Sequence, residues 1–132
     1  MKKTYFLLFL TVVMIMFMSS ASYAYREVAR GSFTGVQRES ITVLDSKESL
    51  MTALSALRLP NLEATESFDF SKEFLILIVA SACPNPGYSI TAEVIDFKDG
   101  EVNVKYKTER GPEGMMYAQV ISYPWLLVAL ER

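Results

Sequence analysis

Seven consecutive residues, Phe74 to Ala80 (FLILIVA), carry no polar side chain. A run this short and this rich in β-branched residues suits a strand rather than a helix. It also suits a strand covered on both faces, because one that meets solvent alternates apolar with polar residues. Whatever this chain folds into must supply cover above and below that strand. A second apolar run, Trp125 to Leu130 (WLLVAL), predicts another strand.

The segments around these runs are more polar. Tyr88 to Phe97 reads as a strand with Tyr88, Ile90, Ala92 and Val94 on one face. The adjacent Val94 and Ile95 break the alternation and predict a bulge that carries Ile95 and Phe97 to the other side. Asp99-Gly100 is a two-residue hairpin signal, since both central positions of that turn need positive φ. Glu101 to Thr108 returns with Val102, Val104 and Tyr106 facing in and Glu101, Asn103, Lys105 and Lys107 facing out. Upstream, Leu50, Ala53, Leu54 and Leu57 recur at three- and four-residue spacing and predict a helix over 46–58. Asp45 with Glu48 makes its capping start, and Pro60 stops it. Residues 26–44 read as one or two short strands carrying Val28, Phe33, Val36, Ile41, Val43 and Leu44, and Asn61 to Ser67 as a polar connector. The expected class is α+β, a mainly antiparallel sheet with one N-terminal helix packed on it.

The N-terminus sets the expected compartment. Lys2 and Lys3 precede the apolar stretch Phe6 to Met18, and small residues at Ser22 and Ala24 flank a cut after Ala24. This is the three-part pattern of a secretory signal peptide. The apolar stretch spans only about 20 Å as a helix, short of the ~30 Å hydrocarbon core. The expected organisation is a signal peptide over 1–24 and a single domain over 25–132, periplasmic or secreted, with no membrane association after cleavage. Loss of Lys2 and Lys3 leaves 11 basic residues, of 13 in the whole chain, against 15 acidic, a net charge of −4. No clustered positive charge is available for nucleic acid. The single cysteine, Cys83, has no partner for an internal disulfide and reads as a small buried residue at a strand end.

The chain contains no histidine. Ser-His-Asp and Cys-His arrangements therefore lack their general base, and the usual zinc and copper sites lack their ligands. Ser71-Lys72 and Ser46-Lys47 are sequence neighbours, whose side chains do not face each other on a strand or a helix. The carboxylates are scattered over caps, turns and solvent-facing positions. Gly111 to Gly114 is not a strand–GxxxxGK–helix unit, and no run of spaced oxygens forms a calcium loop. The expectation is a protein without catalysis, cofactor or metal.

Loops remain as the place for function. Pro84-Asn85-Pro86-Gly87 is stiff, and Pro86-Gly87 suits the centre of a type II turn. Such a loop loses little entropy when a partner binds it. Tyr88 borders it, and Tyr117, Tyr123 and Trp125 border other loops. The candidate contact surface is the 84–88 loop and 110–117, with Pro84, Asn85, Pro86, Gly87, Tyr88, Arg110, Pro112 and Tyr117 as its residues, supported by Tyr123, Pro124 and Trp125. The expected partner is a protein.

The ordered segments FDFSKEFLILIVAS, NPGYSITAEVIDF, GPEG and YPWLLVALE resemble the PrcB-like C-terminal domain family, named for an accessory subunit of an exported bacterial protease complex. Asp69-Phe70, Gly87-Tyr88 and Tyr123-Pro124 stand where that family carries its motifs, and the likeness extends over nearly all of the mature chain. Asn85-Pro86 replaces the threonine-glycine pair that precedes the last glycine of the family's turn. The resemblance implies an accessory or stabilising subunit that assembles with an exported protease and is not itself a catalyst. NPGY with PW also looks loosely like the loops of chagasin-type cysteine-protease inhibitors, which implies a wedge at 84–88. A structural envelope protein is a third reading.

Overall fold

The computed structural model describes residues 24–35, 37–59 and 63–132. Residues 1–23 of the predicted leader, with Val36, Pro60, Asn61 and Leu62, lie outside the described residues. The elements run β1 (Arg26–Thr34), β2 (Ser40–Leu44), α1 (Lys47–Ala56), α2 (Glu63–Glu66), β3 (Glu73–Val79), β4 (Ser89–Lys98), β5 (Glu101–Glu109) and β6 (Ser122–Glu131). The predicted connector at 61–67 thus contains the one-turn helix α2.

The apolar runs become the two central strands. An antiparallel sheet forms in the order β1-β6-β3-β2, and β4 and β5 pair separately as a hairpin. Alternation along β3 and β6 divides their side chains between two cores. Leu75, Leu77 and Val79, with Trp125, Leu127 and Ala129, face α1 and pack with its Leu50 and Leu54. Ile76, Ile78 and Ala80, with Leu126, Val128 and Leu130, face the hairpin and meet Ile90, Ala92 and Ile95. The result is α+β in three layers: helix, sheet, hairpin. The expected single sheet is in fact two, because the FLILIVA strand needs cover on both faces and the one-sided β4–β5 ribbon supplies half of it.

Local chemistry explains the element ends. The N-cap of α1 is Ser46, not Asp45: its hydroxyl accepts from the Ser49 amide (3.1 Å) and the Ser49 hydroxyl accepts from the Ser46 amide (3.1 Å). The helix ends at Ala56, ahead of Pro60, in a Schellman closure. Leu59 N–H donates to the Leu54 carbonyl (2.9 Å) and Arg58 N–H to that of Ser55 (3.2 Å), with Arg58 at φ 54°. In β4 the register slips between Ala92 and Val94, so Ile95 joins Ile90 and Ala92 in the core while Val94 turns outward. The turn is as expected, with Asp99 and Gly100 both at positive φ.

β6 contains Pro124 although it is a central strand. Its carbonyl accepts from Ala80 N–H (2.8 Å), on the side where the chain is leaving β3. Cys83 and Ser122 then exchange both backbone hydrogen bonds, at 2.8 and 3.0 Å. Ser81 and Ala82 therefore oppose Tyr123 alone, an irregularity at which a missing donor is tolerated.

Candidate functional site

Register places Gly31, Trp125, Val79 and Ser40 in one row across the sheet. Beyond that row lie the ends of β1, β3 and β5 and the starts of β2, β4 and β6. Three connections, represented by Gly35 with 37–39, by 80–88 and by 110–121, consequently gather at the same end of the molecule and form a rim.

The 80–88 loop is sewn to the start of β6. The Ser122 hydroxyl, itself fully buried, donates to the Asn85 carbonyl (2.7 Å), and Gly87 N–H donates to Asn85 Oδ1 (2.9 Å). This Asx turn replaces the expected type II turn, and Gly87 is not among the residues with positive φ. Its glycine is required for a different reason. A Cβ at Gly87 would lie 2.5 Å from the Tyr117 ring. A Cβ at Gly111 would lie 2.2 Å from the Tyr117 hydroxyl and 2.8 Å from the Gly87 carbonyl oxygen. Tyr117 is thus a bolt between two glycines, and it closes the 110–121 loop onto the 80–88 loop.

Beside the bolt lies an open cavity of about 410 Å³, bordered by Asn85, Tyr88, Arg110, Pro112, Met115 and Tyr117 among others. A second cleft of about 280 Å³ runs along the other side of Pro86-Gly87-Tyr88, against Arg30, Gly31 and Ser32. Under it the Trp125 ring covers Gly31 across the strands, so close that a Cβ there would sit 2.8 Å from the indole. Phe33 stacks on the same indole at 6.0 Å.

On both sides of Tyr117 the loop exposes apolar side chains. Met116 is 99% exposed, Met115 61% and Ile121 60%, with Val120 close behind. Large apolar groups left in water on a pinned loop mark a contact surface more than a core. The third connection joins through Tyr106, whose hydroxyl donates to the Glu39 carboxylate and also meets Ser81. Burial, and then the hydrogen bond to Glu39 and its charge, push the Tyr106 phenol above its ordinary pKa. Burial likewise pushes up the Cys83 thiol, against a smaller opposing hydrogen bond from Thr108. Cys83 is therefore a protonated, buried side chain at the strand end, as its position in sequence suggests.

Of the predicted contact residues, the structure brings together Pro84, Asn85, Pro86, Gly87, Tyr88, Arg110, Pro112 and Tyr117. Tyr123, Pro124 and Trp125 lie in β6: Pro124 and Trp125 are buried, Tyr123 packs partly buried against the core on the helix side, and Trp125 also lines the second cleft, so the three brace the rim from beneath. Sequence reasoning covered Met115 and Met116 within 110–117 without singling them out, and stopped short of Val120 and Ile121. Their available signal is an apolar cluster with neither strand nor helix period, directly after a Gly-Pro-Glu-Gly loop.

The fold and rim together define a class: a small three-layer α+β domain that presents tied loops at one sheet end. A family model described as PrcB C-terminal matches residues 74–131, which supports a PrcB-like C-terminal domain over that span. The matched span takes in β3 to β6 with two of the three rim loops. It is shorter than the likeness expected from sequence, and Asp69-Phe70 and α1 lie before it. No curated protein and no solved structure matches the chain.

Proposed function

We propose that this chain is an exported, non-catalytic binding domain that acts as an accessory or stabilising subunit of an exported protease complex. The observation that carries the reading is the 110–121 loop, which is bolted by Tyr117 between Gly87 and Gly111 and holds four large apolar side chains in solvent. A loop ordered before binding gives up little entropy at the interface, and apolar anchors at its tip supply affinity. The PrcB-like match supports the choice of partner class, and the leader-like N-terminus supports export. With no histidine in the chain, contact is a simpler role than turnover.

The test is recovery of the protein with its partners from its native envelope, followed by mass spectrometry. A protease subunit should be retained by the wild-type chain and lost with Met116→Asp. Absence of any retained protease subunit, or retention unchanged by that substitution, overturns the reading.

A further inference from the structure

The larger cavity has a lopsided hydrogen-bonding character. Arg110 stands at its edge, and among the described residues no carboxylate or carbonyl partners its guanidinium; the neighbouring Glu109 is taken up by Lys107 at 2.9 Å. Asn85 uses its carbonyl oxygen for Ser122 and its Oδ1 for Gly87, which leaves the side-chain NH₂ as its free group on the same wall. Two donors thus border a space whose remaining lining is the rings of Tyr88 and Tyr117, Pro112, Met115 and glycine backbone, with Glu113 as the one acid. A guanidinium forks onto a carboxylate in two parallel bonds, and an amide NH₂ can complete the cradle.

We propose that this cavity receives an acidic side chain of a protein partner, an aspartate or glutamate flanked by a large apolar residue. It rests on the reading of the rim as a binding surface and names the chemistry that surface selects. A volume of about 410 Å³ admits such a pair of side chains. The carboxylate meets Arg110 and Asn85, and the apolar neighbour lies over Tyr117 and Met115. A chain terminus is the poorer ligand, since capture of terminal carboxylates relies on free backbone amides and that of Gly87 is already engaged by Asn85. Glu113 opposes the incoming charge and sets its affinity from the other side.

The probe is an array of octapeptides, capped at both ends, with a central glutamate, glutamine or lysine beside leucine or phenylalanine, plus a set with free C-termini. Binding to the full chain is read by fluorescence anisotropy. Glutamate-centred peptides should bind roughly tenfold more tightly than their glutamine counterparts. Arg110→Gln should abolish that ratio while glutamine peptides bind as before, and Glu113→Gln should raise glutamate-peptide affinity severalfold. Equal binding of glutamate and glutamine peptides, a preference for lysine, or a preference confined to free C-termini overturns the proposal. The broader reading is judged separately: a protease subunit retained equally by wild type and Arg110→Gln, yet lost with Met116→Asp, overturns the acidic-ligand inference and leaves the rim as the contact surface.

Discussion

The two ends of the sheet handle their polar groups and side chains in opposite ways. At the end opposite the rim, closure is local and polar. Asp69 accepts from the Ser71 amide (2.9 Å) and hydroxyl, and its carbonyl takes Lys72 and Glu73 N–H at 3.2 and 3.1 Å. Arg132 donates to the Phe70 and Asp45 carbonyls (2.6 and 2.8 Å), and Arg26 reaches Glu73 across the sheet at 3.1 Å. Side chains there are consumed in ending strands. At the rim, backbone groups are tied by Asn85, Ser122 and the Cys83 bridge, and the side chains that remain, Met115, Met116 and Arg110, are left to face outward. A sheet end with its internal bonding complete can hold such groups in water without unravelling.

The comparison breaks most readily at the bolt. Gly111→Ala drives a methyl group against the Tyr117 hydroxyl and the Gly87 backbone, and backbone cannot move aside cheaply. About 1–3 kcal/mol of stability should be lost in urea denaturation, and the 110–121 loop should become sensitive to protease. Wild-type stability with an uncut loop would mean that Tyr117 does not join the two loops.

A smaller loss, about 1 kcal/mol, is expected from Ser46→Ala, which removes the α1 cap near the polar end. The sharper part of this expectation is what stays constant: partner retention through the rim should not change. Loss of binding together with the cap would show that the two ends are not independent.

Acid and base should separate the ends. The Ser71 hydroxyl and amide hold the Asp69 carboxyl below its ordinary pKa, so its contribution is present above the unfolded value and is lost as pH falls through the folded one. Cys83 and Tyr106, at the rim, are shifted upward; their contribution is complete below their unfolded values and is lost as pH rises through the folded ones. Thermal melts across pH should therefore show an acid limb flattened by Asp69→Ala and an alkaline limb flattened by Tyr106→Phe or Cys83→Ala. If Asp69→Ala reshapes the alkaline limb instead, the division is wrong.

The smallest effect on folding belongs to Met116→Ser. A side chain almost wholly in water contributes little to stability, and the change should stay within about 0.5 kcal/mol while retention of the partner falls. A marked destabilisation would show that Met116 is held by the fold and is not offered to a partner.

Much of the fold was legible in the residues. FLILIVA announces a strand covered on both faces, Asp99-Gly100 fixes the hairpin, and the one-sided alternation of 101–108 identifies the outermost layer. The site was legible in part. Prolines and glycines mark 84–88 and 110–114 as loops, because their local backbone chemistry differs from that of strands. They do not reveal that Gly87 and Gly111 meet around Tyr117, nor that the apolar cluster from Met115 to Ile121 stays in solvent. Trp125 carries the opposite lesson: an aromatic beside a loop in sequence proves to be core.

The sequence by itself determined which segments are strands or helix, the hairpin at Asp99-Gly100 and which faces are apolar, since periodicity and turn chemistry act over a few neighbouring residues. Tertiary structure alone decided that the hairpin leaves the main sheet to cover it, that three distant loops share one end, and which of their side chains remain outside. Those outcomes depend on contacts between residues far apart in the chain, and no local pattern records them.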